Sequence, residues 1–262
     1  MALIQLDHVP ESIKVCQPLY IILPDPGKIG DMPLQERKVL YLLHGLGDNG
    51  SAWLRYTGIE ALAFELGLVV IMPSFGRSFY IDLPNGQAYY SYLTEELPQY
   101  LFNIFGLNPS QEKTYIAGNS MGGYGAFKAA FHFPEKYAAA ASFSGVLSMQ
   151  IVNLLPDDPR KDEFRVTFGN LEKLVGSQHD PLTWLQNAAQ GSTQLPRLFI
   201  ACGKQDDLYP LNQLFYKTAL ELGIPVDYLV LDGGHDWYFW QDQISRLLRI
   251  LLQKDPETEP RG

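Results

Sequence analysis

The stretch that most constrains the fold of this chain is a serine flanked by glycines, Gly118-Asn119-Ser120-Met121-Gly122. A short apolar run at 114–117 precedes it, and an apolar helical pattern begins at Met121. This order predicts a strand, a sharp turn and a helix, with Ser120 on the turn. The turn would strain the backbone of Ser120 and lift its hydroxyl clear of the sheet. Side chains at positions 118 and 122 would crowd the neighbouring strand and helix, so glycines fit there.

Taken alone, a Gly-x-Ser-x-Gly sequence also fits an ordinary glycine-rich turn. Three further features favour a reactive serine: a His-Gly loop upstream, an aspartate after a later strand, and a histidine after the last strand. Ser, Asp, His is the order in which α/β-hydrolases carry their catalytic triad. We therefore predict an α/β protein with the α/β-hydrolase fold, in which a mostly parallel central sheet carries helices on both faces.

The continuous apolar run 39–43 predicts a strand covered on both faces, and it ends in His44-Gly45-Leu46-Gly47. The C-terminal end of a parallel strand is where such sheets bind ligands. Alone, the loop fits a plain turn equally well, but beside the serine turn it predicts half of an oxyanion hole. We expect the backbone N–H groups of Leu46 and Met121 to hold the oxyanion. His44 is expected to hold the loop by side-chain hydrogen bonds and not to act as a base.

Two later strand ends supply candidates for the acid and the base. The predicted strand at 198–202 runs into Asp206 and Asp207, and the predicted strand at 226–231 runs into His235. A carboxylate at the first strand end and an imidazole at the second would complete a triad with the serine. The residues themselves leave Asp206 and Asp207 as competing acids.

The rest of the chain shows the alternation of strands and helices expected of this fold. Strands are predicted at 12–15, 19–23, 68–72 and 138–143, and helices at 51–66, 93–105, 211–222 and 237–252. Residues 147–192 interrupt the alternation and are predicted to form a small insertion over the active-site edge, a candidate lid or oligomer contact. We expect residues 1–254 to form a single domain and residues 255–262 to be a flexible tail.

Composition excludes several classes of protein. The chain has 262 residues, 46% of them hydrophobic, which is enough for one sizeable core. A net charge of −9 argues against binding to nucleic acid or to anionic membranes. No signal pattern or membrane-length apolar run is present, so a cytoplasmic location is expected. Cys16 and Cys202 lie in or beside apolar runs, which favours buried free thiols over a disulfide. No metal-ligand spacing occurs, so we predict no metal.

At this point the chain resembles a known family, the tributyrin-esterase-like branch of the esterase D group of α/β-hydrolases, which also contains S-formylglutathione hydrolases. The matching stretches keep the family's order and spacing over nearly the whole chain: LLHGL (42–46), GNSMGGYG (118–125), ASFSG (141–145), CGKQD (202–206) and GHDWYFW (234–240). In the family the acid is the aspartate three residues after the glycine, which implies Asp206. Asp207 stands where the family usually has an aromatic residue, and it is kept as the reserve. The insertion at 147–192 varies across the family and sets substrate choice.

The resemblance implies a serine carboxylesterase that hydrolyses short-chain acyl esters without a cofactor. Ser120 would attack the ester carbonyl, His235 would act as the base, and Asp206 would orient the imidazole. We predict contacts with a small-molecule ester substrate for Gly45, Tyr89 and Trp237. Members of such families often self-associate, so a homo-oligomer is possible.

Three other functions make different predictions. A thioesterase of the S-formylglutathione type would prefer glutathione thioesters to oxygen esters of equal acyl length. An esterase of acetylated or feruloylated carbohydrate would need aromatic side chains at the mouth of the site, and Phe79, Tyr80 and Tyr89 keep that alternative open. A non-catalytic binding protein is disfavoured, because binding alone does not require all three types of triad residue.

Overall fold

The fold is an eight-stranded sheet with helices on both faces. The computed structural model describes residues 1–25, 32–154 and 158–252, and within these ranges the strand order is β1-β2-β4-β3-β5-β6-β7-β8. Strands β3 to β8 are parallel to one another, whereas β2 runs antiparallel to both β1 and β4. The strands are β1 (Ala2–His8), β2 (Gln17–Leu23), β3 (Val39–Leu43), β4 (Val69–Pro73), β5 (Thr114–Asn119), β6 (Ala139–Phe143), β7 (Arg197–Gly203) and β8 (Asp227–Leu231).

The helices follow the strands in the alternation that a parallel sheet requires. A single turn at Tyr89–Ser91 and a π-helical segment at Tyr92–Glu96 lead into α3. Nowhere in the three described ranges is there a helix both long enough and apolar enough to cross a membrane. The helices are α1 (Ala52–Tyr56), α2 (Ile59–Leu66), α3 (Leu97–Phe105), α4 (Met121–His132), α5 (Ile151–Leu154), α6 (Lys161–Phe168), α7 (Pro181–Gln190), α8 (Tyr209–Glu221) and α9 (Trp237–Leu252).

The sheet has a hydrophobic core on each face, because successive side chains of a strand point to opposite sides. In β3, Val39, Tyr41 and Leu43 pack with residues of α3, α4, α7 and α8. Leu40 and Leu42 point the other way and pack with residues of α1, α2 and α9. A strand that is buried on both faces must be apolar at every position, which is the pattern seen at 39–43. The predicted α/β-hydrolase architecture is confirmed.

The stretch predicted as an insertion, 147–192, contains α5, α6 and α7 in its described part, and α7 packs against α4. Asp180, which is buried, holds the insertion together. Its carboxylate accepts hydrogen bonds from the backbone N–H groups of Met149 (3.1 Å), Gly176 (2.9 Å) and Leu182 (3.3 Å). These bonds connect the start of the insertion to the N-terminus of α7.

Two of the predicted elements are wrong. Residues 12–15 form a turn and not a strand, because the carbonyl of Pro10 accepts hydrogen bonds from Ile13 and Lys14, and Lys14 has a φ of 60°. The first strand is β1, at Ala2–His8. The helix predicted at 51–66 is divided into α1 and α2, because Thr57 has an extended backbone with a φ of −136°.

The two cysteines differ in exposure. Both cysteines are free, but only Cys202 is buried. The prediction that Cys16 is buried is wrong, because it follows the turn at 11–14 and lies outside β2. The tail predicted at 255–262 lies outside the described residues.

The turn between β5 and α4 depends on backbone atoms in direct contact. A Cβ on Gly118 would lie 2.5 Å from the carbonyl carbon of Gly122. A Cβ on Gly122 would lie 2.7 Å from the carbonyl carbon of Leu43 and 2.8 Å from the carbonyl oxygen of His44. Neither contact can be relieved by rotating a side chain, because the opposing atoms belong to the backbone. Both glycines are therefore required for α4 to start against the end of β3.

We expect Gly122→Ala to lower the free energy of unfolding by about 1–3 kcal/mol, the usual cost of forcing an extra methyl group into a packed site. Urea denaturation measures this change. Gly58→Ala is the matched control, since a Cβ there has no atom within 4 Å and the φ of Gly58 is −86°. Equal stability of the Gly122 variant and the wild type would contradict the contact described above.

Candidate active site

Ser120 occupies a strained position between β5 and α4. Its φ is 54° and its ψ is −118°, a conformation that residues other than glycine seldom adopt. The backbone N–H of Ser120 donates to the carbonyl of Phe143 at 2.9 Å, which ties the turn to the end of β6. The side chain is half-buried, so its hydroxyl is accessible. These features match the strained serine turn predicted from the sequence.

His235 and Asp206 lie beside this serine. The Nε2 atom of His235 is 3.0 Å from the Oγ of Ser120, and its Nδ1 is 3.1 Å and 3.0 Å from the two carboxylate oxygens of Asp206. With Nδ1 protonated, the imidazole donates to the carboxylate and leaves Nε2 free to accept from the serine hydroxyl. The His235 side chain is 35% exposed, so the site is open to solvent. Asp207, the competing acid, is exposed, and within the described ranges the hydrogen bonds and the ion pair of His235 to a carboxylate involve Asp206 and not Asp207.

The carboxylate of Asp206 is stabilised in its charged form although it is buried. Burial by itself would raise its pKa, but hydrogen bonds from His235, Ser144 and the Leu208 N–H (2.8 Å), with the charge of the imidazole, hold the pKa below its usual value. Asp206 is therefore negatively charged at neutral pH, as an acid that orients a histidine must be.

Two residues that support the acid and the base were not singled out from the sequence. The indole N–H of Trp240 donates to the Oγ of Ser144 at 3.0 Å, and the Ser144 hydroxyl in turn bonds to Asp206. The Trp240 ring also packs edge-on against His235, with 5.0 Å between the ring centroids. Both residues lie in stretches that carry the family resemblance, but spacing alone does not indicate that they meet.

The predicted oxyanion donors lie on either side of the serine. Met121 is the first residue of α4, so its N–H has no helical acceptor. Gly45 lies close to the nucleophile, since a Cβ on it would be 3.5 Å from the Cβ of Ser120. The next N–H, that of Leu46, has no hydrogen-bond acceptor among the residues that the structure describes.

His44 orients the peptide that carries the Leu46 N–H. Its Nδ1 donates to the carbonyl of Gly45 at 2.8 Å, and its Nε2 accepts from the N–H of Phe75 at 2.9 Å. Burial lowers the pKa of His44 to about 4, although the bond to Gly45 opposes the change, so the ring is neutral at neutral pH. The prediction that His44 holds the loop by side-chain hydrogen bonds is confirmed.

The other two predicted substrate contacts, Tyr89 and Trp237, pack against aromatic side chains. Tyr89 is buried and packs against Phe75, with 6.3 Å between the ring centroids. Trp237 stacks on Tyr56 at 5.1 Å and packs edge-on against Trp53 at 5.0 Å. Their roles in substrate binding stay predictions. Among the residues that the structure describes, no three His, Cys, Asp or Glu side chains form a group that could hold a metal ion.

The fold and this Ser–His–Asp arrangement are those of the α/β-hydrolase class of serine hydrolases. The family model described as "Putative esterase" matches residues 14–251. The chain therefore belongs to this esterase family and is a carboxylic ester hydrolase. The predicted resemblance to the esterase D and S-formylglutathione hydrolase group is confirmed.

Similar proteins and structures that are named as esterases or serine hydrolases support this assignment. An acetyl esterase of Caldicellulosiruptor saccharolyticus is 30% identical over 255 residues, which cover 94% of this chain and 96% of the relative. The crystal structure of an S-formylglutathione hydrolase from Staphylococcus aureus is similar with a TM-score of 0.86 and 35% identity, covering 96% of this chain and 98% of that one. A substrate-bound fluorophosphonate-binding serine hydrolase of the same organism has a TM-score of 0.87 at 35% identity and the same coverage.

We expect the neutral, buried His44 to make the protein sensitive to acid. Between pH 6.5 and about 4 the unfolded chain binds a proton at this residue and the folded chain does not. The free energy of unfolding therefore falls as the pH is lowered through this window, by on the order of 3 kcal/mol. Urea denaturation from pH 7 to 4.5 should show a flatter pH dependence for His44→Asn than for the wild type. Identical slopes would contradict this role.

Proposed function

We propose that this protein is a serine carboxylesterase that hydrolyses short-chain acyl esters through a covalent acyl-enzyme. The observation that carries the proposal is the continuous hydrogen-bonded path from Ser120 through His235 to the buried Asp206. The similarity to an acetyl esterase over nearly the whole of both chains supports a small acyl group.

Catalysis would start when Ser120 attacks the ester carbonyl. The Nε2 of His235 takes the proton of the hydroxyl, and the Asp206 carboxylate stabilises the imidazolium that results. The carbonyl oxygen becomes an oxyanion between the N–H groups of Leu46 and Met121, where each lost donor typically costs about 10²–10³ in rate. His235 then returns the proton to the leaving alcohol, and the acyl group stays on Ser120.

A water molecule releases the acyl group by the same steps. His235 accepts a proton from the water as it attacks the acyl-enzyme, and the proton passes to Ser120 as the carboxylic acid departs. Every proton transfer in this cycle goes to or from His235, and Asp206 stays negatively charged throughout. The exposure of His235 gives water access to the acyl-enzyme.

An S-formylglutathione hydrolase is the second candidate. The 35% identity to the Staphylococcus aureus hydrolase of that name, at a TM-score of 0.86, favours it specifically. The chemistry would be the same, with a thiolate in place of the alkoxide as the leaving group. A cytoplasmic location and self-association fit both candidates, and each stays a prediction.

We expect the wild type to hydrolyse p-nitrophenyl acetate faster than its long-chain homologues. Ser120→Ala should lose nearly all activity, because in the described part of the chain Ser120 carries the one hydroxyl that bonds to His235. Rates for p-nitrophenyl esters of increasing length, with S-formylglutathione in parallel, measure this. A dominant rate with S-formylglutathione would assign the protein to the second candidate. Wild-type activity in the Ser120 variant would refute both.

We expect Asp206→Asn to lower kcat by about 10⁴, the effect known for the same change in a serine protease triad. An amide in this position favours the wrong histidine tautomer and leaves the imidazolium without its counter-ion. Asp207→Asn is the matched control, since Asp207 is the adjacent residue and points to solvent. If the Asp207 variant lost activity and the Asp206 variant kept it, the choice of acid would be reversed.

A further inference from the structure

One loop connects the insertion to the predicted oxyanion hole. Residues 74–80, here called the bridging loop, follow β4 and lie between α6 and residues 44–46, here called the oxyanion loop. Phe79 and Tyr80 in the bridging loop have φ values of 50° and 51°, which residues other than glycine seldom adopt. A strained backbone of this kind persists only when surrounding contacts hold it in place.

The bridging loop forms hydrogen bonds with His44 and Leu46, the first and last residues of the oxyanion loop. The Tyr80 hydroxyl donates to the carbonyl of His44 at 2.8 Å, and the Phe75 N–H donates to the His44 ring at 2.9 Å. The guanidinium of Arg77 donates from Nη1 to the carbonyl of Leu46 at 3.3 Å. With the Gly45 carbonyl bonded to the His44 ring, the peptide planes before and after Leu46 are both held.

The same Arg77 reaches the insertion. Its Nη2 bonds to one carboxylate oxygen of Glu163 in α6 at 2.7 Å, and its Nε bonds to the other. This is the two-point geometry in which a guanidinium and a carboxylate fit best. Beside it, the Phe79 ring packs edge-on against Phe164 and Phe168 of α6, at 5.7 Å and 5.1 Å between centroids. One arginine therefore contacts both the insertion and the oxyanion loop.

We infer that Arg77 and Glu163 are positioning residues that make the alignment of the Leu46 N–H depend on where α6 lies. The inference rests on the proposed acyl-transfer function, in which that N–H stabilises the oxyanion. Glu163 fixes the direction of the guanidinium, and the guanidinium fixes the peptide that follows Leu46. Displacement of α6 would turn this peptide, and because the Leu46 Cα joins it directly to the peptide that carries the Leu46 N–H, the N–H would shift away from the developing charge.

The expected effect is on rate and not on stability. Arg77 is 46% exposed and Glu163 is 30% exposed, and ion pairs at such sites contribute little to the free energy of unfolding. A donor that moves by a fraction of an ångström stabilises the transition state less well and leaves ground-state binding almost unchanged. The two residues should therefore influence kcat and have little effect on KM.

The test compares Arg77→Met, Arg77→Lys, Glu163→Gln and the double variant Arg77→Met/Glu163→Gln with the wild type on a p-nitrophenyl ester. We expect kcat to fall about tenfold in Arg77→Met, below the loss of a full oxyanion donor. Arg77→Lys keeps the charge but not the two-point geometry, so its kcat should fall less than that of Arg77→Met. Glu163→Gln should also lower kcat, and the double variant should lose no more than Arg77→Met, because both changes break one connection.

Asp162→Asn is the matched control. Asp162 pairs with Arg165 one turn along the same helix and is 93% exposed. This variant should keep the wild-type kcat. Equal kcat values for wild type, Arg77→Met and Glu163→Gln would overturn the inference, as would losses that appear only in KM or in the urea midpoint.

A second readout separates this inference from the proposed function. When an alkyl fluorophosphonate reacts with an activated serine, negative charge develops on the phosphoryl oxygen in the transition state. The rate at which this reagent inactivates the enzyme therefore also depends on the oxyanion hole. We expect slower labelling in Arg77→Met and Glu163→Gln, and none in Ser120→Ala. If Ser120→Ala is inactive but the other two variants label at the wild-type rate, only the positioning role fails. If Ser120→Ala retains wild-type esterase activity, the proposed function fails first.

Discussion

The close contact of two backbone segments, with no side chain between them, determines where the candidate site forms. Gly122 in the first turn of α4 lies against Leu43 and His44 at the end of β3, and a Cβ there would be 2.7 Å from the Leu43 carbonyl carbon. This contact brings together two stretches of chain that are far apart in sequence. The N-terminus of α4 presents Met121, the end of β3 leads into Leu46, and both flank the serine. A wider separation would place these two N–H groups too far apart to hold one oxygen atom.

Two buried ionisable groups, His44 and Asp206, have different charge states at neutral pH. Desolvation disfavours the charged form of both His44 and Asp206. The neighbours of His44 are a carbonyl and an N–H, which match a neutral ring with one donor and one acceptor, so the ring stays uncharged. The neighbours of Asp206 are donors and an imidazole that can become positive, so the carboxylate stays charged. Burial therefore keeps His44 neutral, whereas the hydrogen-bond donors around Asp206 outweigh the effect of its burial and keep the carboxylate charged.

Sequence alone predicts the parts of this structure that depend on local patterns. Apolar runs located the strands of the parallel sheet, and the ends of those strands located Ser120 and His235. Hydrophobic periodicity does not show whether Asp206 or Asp207 faces His235, because that depends on the backbone path of the single turn after β7. Contacts between distant positions were also missed, since Trp240 meets Ser144 across 96 residues of chain. No local pattern marks such pairs, because packing between elements brings them together. The turn at 12–15 was missed because its alternating residues resemble a strand.

The order in which the strands occur along the chain determines when, during synthesis, the site can form. Ser120 and His235 are hydrogen-bonded across a separation of 115 residues, and the histidine follows β8, the last strand to join the sheet at its edge. Trp240, which packs against its ring, belongs to the final helix. A chain emerging from the ribosome can thus assemble β3, β5 and the serine turn while it still lacks a base. If Ser120 and His235 act as proposed, the site is therefore assembled only once β8 and the segment that follows it have joined the fold.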